Sequence, residues 1–165
     1  MSADSDGAVT LRCTAKVLAL LGEVALVEMP SSDEDWYLNL LWVERRKCLL
    51  LAHAGTLFSA FVPDVRKSDV DPIGTFVAGV IREQLRSEGL PEDLFGSLRE
   101  VRAARTTSRG VLGFMNDMTY QCQHAVYVAG GLRHLDTGEL NRWLRRSLHN
   151  RGGDYVTAMD LVASR

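Results

Sequence analysis

Trp36-Tyr-Leu-Asn-Leu-Leu-Trp-Val43, Lys47-Cys-Leu-Leu-Leu-Ala-His53 and Thr56-Leu-Phe-Ser-Ala-Phe-Val62 follow one another almost without a break. Each is short, apolar and bounded by polar or small residues. The links between them, Glu44-Arg-Arg46 and Ala54-Gly55, are of hairpin length. That spacing predicts an antiparallel meander over about residues 36–62. The second run is nearly continuous in apolar residues, which places it inside the sheet with both faces covered. In an extended chain Trp36 and Trp42 share one face and Tyr37 takes the other. A Trp36 left exposed beside the acidic loop 30–35 would be a contact residue.

Outward from the meander, residues 8–13 read as a strand, and Thr14 stands where it can cap a short helix over 15–21 that ends at Gly22. On the other side Asp71 suits an N-cap and Pro72 the first helical position. Ile73, Phe76, Val77, Val80, Ile81 and Leu85 then form one apolar stripe, with Gly89 at its close. Residues 99–107 alternate as an edge strand does. After Arg109 a helix carries Val111, Met115, Met118, Cys122 and Ala125 on one face. Asp136 and Glu139 then open another, with Leu140, Trp143, Leu144 and Leu148 as its apolar side. Asn150-Arg-Gly-Gly153 breaks the pattern, and residues 155–162 form a short terminal element. The expected architecture is α+β: a polar tail at 1–7, then one domain over 8–165 in which an antiparallel sheet is packed by three to four helices.

Composition narrows the function less than the fold. With 165 residues, 46% hydrophobic and 24% charged, the chain has the balance of a globular domain with a sizeable core. A formal charge of −2 supplies no global pull toward nucleic acid or anionic lipid. Cys13, Cys48 and Cys122 are odd in number and far apart, which fits neither a disulfide framework nor a zinc knuckle and points to a reducing cytoplasm. The acidic start is unlike a signal peptide, and no apolar run has the length of a membrane span, so no membrane association is expected.

The chemistry-bearing residues gather around Arg109-Gly-Val-Leu-Gly-Phe-Met-Asn-Asp-Met118. Arg109 precedes a helix whose N-terminal amides attract anions, and Thr107 and Ser108 add hydroxyls there. Asn116 and Asp117 lie a turn or two further on. This makes Arg109, Thr107, Ser108 and Asn116 candidate ligand-binding residues for an anion or polar group. Were the protein an enzyme, Asp117, Asn116 and His124 would be its catalytic residues. The alternative is structural: Ser108 caps the helix, Arg109 pairs with a surface acid and Asn116 bonds to a loop. Asp117, Gln121 and His124 share a helical face, but two turns separate Asp117 from His124. Arg142, Arg145 and Arg146 give the last long helix a basic face, suited to nucleic acid or to an acidic partner, or simply to solvent. His53, His124, His134 and His149 show no metal spacing, Gly110 and Gly113 lack a phosphate-loop lysine, and no nucleophile elbow is present. No metal and no cofactor is implied.

Leu11-Arg-Cys-Thr-Ala-Lys16, Asp35-Trp-Tyr-Leu-Asn-Leu40, Arg46-Lys-Cys-Leu-Leu50 with Thr56-Leu-Phe-Ser59, and residues 109–117 occur in that order over about the first 117 residues. In this the chain resembles a family of small uncharacterised bacterial proteins classed as a domain of unknown function. The resemblance implies no activity. It supports treating Arg109, Asn116 and Asp117 as one unit. The chain departs from the family pattern at Phe114, where a small residue is expected before Met-Asn-Asp. Three functions follow as expectations. The leading one is a cytoplasmic, non-catalytic binding or regulatory domain whose partner is a protein or a nucleic acid. The second is a small enzyme on an anionic substrate, with Arg109 as anion holder and Asp117 as base. The third is a homodimeric assembly protein joined at a sheet edge or an exposed Trp36 patch.

Overall fold

The computed structural model describes residues 8–165. The polar tail expected at 1–7 lies outside them. Five strands form the main sheet: β1 (Ala8–Cys13), β2 (Trp36–Val43), β3 (Arg46–His53), β4 (Ser59–Val62) and β5 (Glu100–Arg105), in the spatial order β4-β3-β2-β1-β5. The meander stands as β2-β3-β4, each pair antiparallel, with Leu38 opposite Leu51 and Leu51 opposite Ala60. The sheet as a whole is mixed, which corrects the expectation of a purely antiparallel one. β1 pairs in parallel with β2 on one side and with β5 on the other. The β1–β2 link runs through α1 (Ala15–Leu21), the helical crossover that a parallel pair requires. Residues 100–105 do form an edge strand, as their alternation indicates.

Two residues of left-handed backbone, Glu44 and Arg45, make the β2–β3 turn, the conformation that suits the twist of a tight hairpin. The next turn is longer than its sequence suggests. Thr56, Leu57 and Phe58 leave the strand because the His53 ring receives the Thr56 N–H at 3.2 Å and sits 2.9 Å from the Thr56 hydroxyl. Gly55 is required there: a Cβ would lie 2.6 Å from the Asp33 carbonyl oxygen.

Alternation along the strands feeds two cores. Trp36, Leu38, Leu40, Leu49 and Leu51 face one side with Val9 and Leu11, beneath α1, α2 (Ile73–Ser87) and α5 (Ala158–Ala163). Tyr37, Leu41, Cys48 and Leu50 face the other, beneath α3 (Arg109–Ala129) and α4 (Thr137–Arg146). β3 is therefore interior and covered twice, as its apolar run implies. A hairpin of β6 (His149–Arg151) and β7 (Asp154–Val156) stands apart from the main sheet. Among the described residues no helix is long and apolar enough to cross a membrane.

Several local expectations shift. α2 starts one residue later than expected, with Pro72 rather than Asp71 at the cap. Thr14 stands at the N-cap of α1, but its hydroxyl donates to Asn39 Oδ1 at 2.9 Å instead of accepting from the helix. Trp36 is buried against His53 and Phe95, so it offers no surface patch, and Trp42 near the far end of the strand is the exposed one. Trp143 and Leu148 are exposed as well. The inward side of α4 is Leu140, Asn141, Leu144 and Arg145.

That inward side explains the β4 edge. Asn141 Oδ1 accepts the Phe61 N–H at 2.7 Å while its Nδ2 donates to the Phe61 carbonyl at 3.1 Å, as a neighbouring strand would. One turn on, Arg145 Nη1 donates to the Ser59 carbonyl at 3.0 Å. The free side of β4 is thus closed by side chains of a helix, one of the ways a sheet edge is protected. At the other edge Val27 donates to the Ala103 carbonyl at 2.9 Å. The β4 edge and Trp36 are thus covered from within the chain.

Candidate functional site

Arg12 organises the ground beneath the site. Buried at the end of β1, its guanidinium donates to Asp35 Oδ2 (2.9 Å), to the Arg105 carbonyl (3.1 Å) and to the carbonyls of Met29 (2.7 Å) and Pro30 (3.0 Å). A buried charge is tolerable only with such a set of partners. The same Asp35 oxygen accepts the Ser32 N–H at 3.1 Å. The acidic loop is thereby held against the ends of β1 and β5, and Ser31 and Ser32 are fixed beside the start of α3.

Tyr37 anchors that start from the sheet. Its hydroxyl receives the Ser108 N–H at 3.0 Å and lies 3.3 Å from the Thr107 hydroxyl, which is 2.6 Å from that of Ser31. Ser108 caps the helix, its Oγ accepting the Val111 N–H at 3.2 Å. The first turn of any helix leaves its amides without intrahelical partners. Here Ser108 and Val111 are satisfied in these ways, and the amides of Arg109 and Gly110 stay open among the described residues.

Gly110 lines two adjoining clefts. The first, of about 410 Å³, is walled by Ser31, Ser32, Asp33, Tyr37, Ser108 and Phe114, and by His149, Asn150 and Arg151 of the β6–β7 hairpin. The second, of about 530 Å³, runs along the outer flank of α3 past Arg109, Asp117, Tyr120 and Gln121, and shares Gly110, Phe114, His149 and Asn150 with the first. Phe114 packs edge-on against the His149 ring at 4.5 Å. His149 Nε2 is buried with no partner among the described residues. Burial pushes the His149 pKa below its ordinary value, against the opposing pull of the Leu144 carbonyl and the Asp117 carboxylate. Arg151 Nη1 reaches the Ala54 carbonyl at 3.4 Å.

Of the residues expected to act together, Arg109 and Asp117 line the second cleft and Ser108 the first. Thr107 fixes the entry to the helix instead of lining either. Asn116 is exposed, has no side-chain bonding partner among the described residues and lines neither cleft, because consecutive helical residues point about 100° apart. His124 is likewise exposed and outside both. The unit of Arg109, Asn116 and Asp117 therefore divides. Arg142, Arg145 and Arg146 do not form a basic face either. Arg145 is fully buried and donates to Glu88 Oε2 at 2.8 Å and to Gln84 Oε1 at 2.9 Å, and Arg146 binds the same carboxylate. Both guanidiniums hold the Glu88 carboxyl below its usual range, Arg146 most strongly. Arg142 alone of the three is left exposed without a partner among the described residues. Among those residues no cluster of His, Cys, Asp and Glu could hold a metal ion.

Sequence reasoning missed Tyr37, His149 and Arg151. Tyr37 carried a signal, a hydroxyl on a strand face that it shares with buried Leu41 and Val43. The hairpin carried another: Gly152-Gly153, both in left-handed backbone, between two short polar strands.

The family model described as Domain of unknown function (DUF6933) matches residues 10–161, and the chain belongs to that family. No curated protein and no solved structure matches it.

Proposed function

We propose, for a member of a family whose description names no activity, a cytoplasmic binding or regulatory domain that takes a small anion into the cleft at the start of α3. The observation that carries this is the pair of open amides, Arg109 and Gly110, at the head of a 21-residue helix facing a cleft whose wall holds a buried, unpartnered His149 Nε2. Helix N-termini favour anions through these amides and the helix dipole. Arg109 and Arg151 flank the clefts with positive charge, and the hydroxyls of Ser31, Ser32 and Ser108 supply donors of fixed position. A carboxylate or phosphate group is the chemistry such a set recognises. Three buried free thiols, Cys13, Cys48 and Cys122, suit a reducing compartment.

Binding is favoured over catalysis by the way the expected catalytic unit divides. Asp117 stands exposed at the rim, while Asn116 and His124 lie outside the clefts. The test is a titration with inorganic phosphate, short dicarboxylates and sugar phosphates, followed by amide NMR and thermal shift. The expected result is movement of the Gly110 and Arg109 amide signals and a midpoint raised by several degrees, both lost in His149→Ala. A panel that leaves these two amides unmoved overturns the reading.

A further inference from the structure

Among the described residues no helix or strand covers the outward side of α3, whose first half borders the cleft shared with residues 148–150. Arg109, Gly113, Asp117, Tyr120, His124 and Tyr127 recur along it at intervals of three and four residues, directly opposite the buried stripe of Val111, Met115, Met118, Cys122 and Val126. Tyr120 is 72% exposed and Tyr127 83%, whereas a Cβ added at Gly113 would meet nothing within 4 Å. Two large aromatic rings in water beside a helical glycine are poor choices for a solvated surface. Glycine costs helix stability and the rings gain nothing there.

The order of these residues is its own complement. Turn a second copy of the helix antiparallel about a two-fold axis at Tyr120, and residues whose numbers sum to about 240 face one another. Gly113 then lies opposite Tyr127, a gap opposite a ring. Asp117 lies beside His124, and Tyr120 meets Tyr120. Arg109 comes level with the end of the partner helix, just past which the Glu44 carboxylate accepts the Leu132 N–H at 3.1 Å. Charge meets opposite charge and small meets large at both ends, as a self-complementary interface demands. The helix extends about 31 Å. We propose that a second copy of this chain docks here, α3 against α3 in antiparallel register, forming a two-fold dimer. This does not depend on the ligand reading, and Tyr120→Lys and Gly113→Leu leave in place the Gly110 amide and His149, on which that reading rests.

Sedimentation of the full chain from micromolar to millimolar concentration tests it. The wild type is expected to dimerise, and Tyr120→Lys to weaken association by at least about thirtyfold, the loss typical of a central aromatic contact. Gly113→Leu is expected to weaken association while raising the thermal midpoint, because leucine is the better helix former; a folding defect cannot produce that pair of results. Asp117→Lys should weaken the dimer, and adding His124→Asp should restore it, a rescue specific to the antiparallel register. A wild type that stays monomeric throughout overturns the proposal. So does a dimer that neither Tyr120→Lys nor Gly113→Leu weakens.

Discussion

α3 and α4 cover the same side of one sheet and use their polar residues in opposite ways. α4 turns Asn141 and Arg145 inward, where they occupy backbone groups of Phe61 and Ser59 along the β4 edge. α3 turns only apolar side chains inward and keeps Arg109, Asn116, Asp117 and His124 at the surface or in the clefts. An arginine on α4 is therefore part of the fold, and an arginine at the head of α3 is available to something else. The contrast teaches that amphipathic periodicity identifies a helix but not the task of its charges.

The sharpest way to break the comparison is to remove one arginine from each helix. Arg145→Met leaves the Glu88 carboxylate half-paired in a buried place and the Ser59 carbonyl unsatisfied, and should cost about 3–5 kcal/mol of stability, as loss of one member of a buried ion pair does. Arg109→Met should change stability by less than about 0.5 kcal/mol. Urea unfolding measures both, and equal effects would erase the distinction.

A second test extends the contrast to His53, which is fully buried, its Nε2 without a hydrogen-bond partner among the described residues and 3.8 Å from Glu34 Oε2. Burial lowers its pKa from 6.5 to about 4, opposed by the Glu34 carboxylate. As pH falls through 6.5 the unfolded chain takes up this proton, while the folded chain resists until about pH 4. Stability from this group therefore declines across that window and levels off below it, by at most about 3 kcal/mol at about 1.4 kcal/mol per pKa unit. His53→Gln should flatten this part of the stability profile relative to wild type. A smaller effect than that of His53 belongs to the cap of α3. Ser108→Ala should lower stability by about 1 kcal/mol and, by loosening the first turn, weaken phosphate binding as well. Thermal unfolding and phosphate titration of the same variant read the two consequences separately.

Legibility in the sequence followed distance along the chain. The β2–β3–β4 meander and the stripes of α2 and α3 rest on periods of two and of three to four residues, which a short window contains. The insertion of β1 between β2 and β5 rests on pairing with residues about ninety positions away, such as Arg12 with Ala104, and no local pattern encodes it. Arg142 and Arg145 look alike in sequence. Only the placement of β4 makes one a core residue and leaves the other in water. Trp36 and Trp42 share a strand face, as alternation requires, yet Phe95 and His53 close over the first alone. In the candidate site the Ser108 cap and Arg109 were legible. Tyr37 and His149 were not, because they reach α3 from β2 and from the β6–β7 hairpin.

The place of β1 also sets a timetable. One flank of that strand stays bare until residues 100–105 have been made, and Val162 must arrive before the core around Val9 and Leu11 is sealed. Until then the nascent chain holds an unfinished parallel pair. The meander, whose partners are close in sequence, can form first and wait.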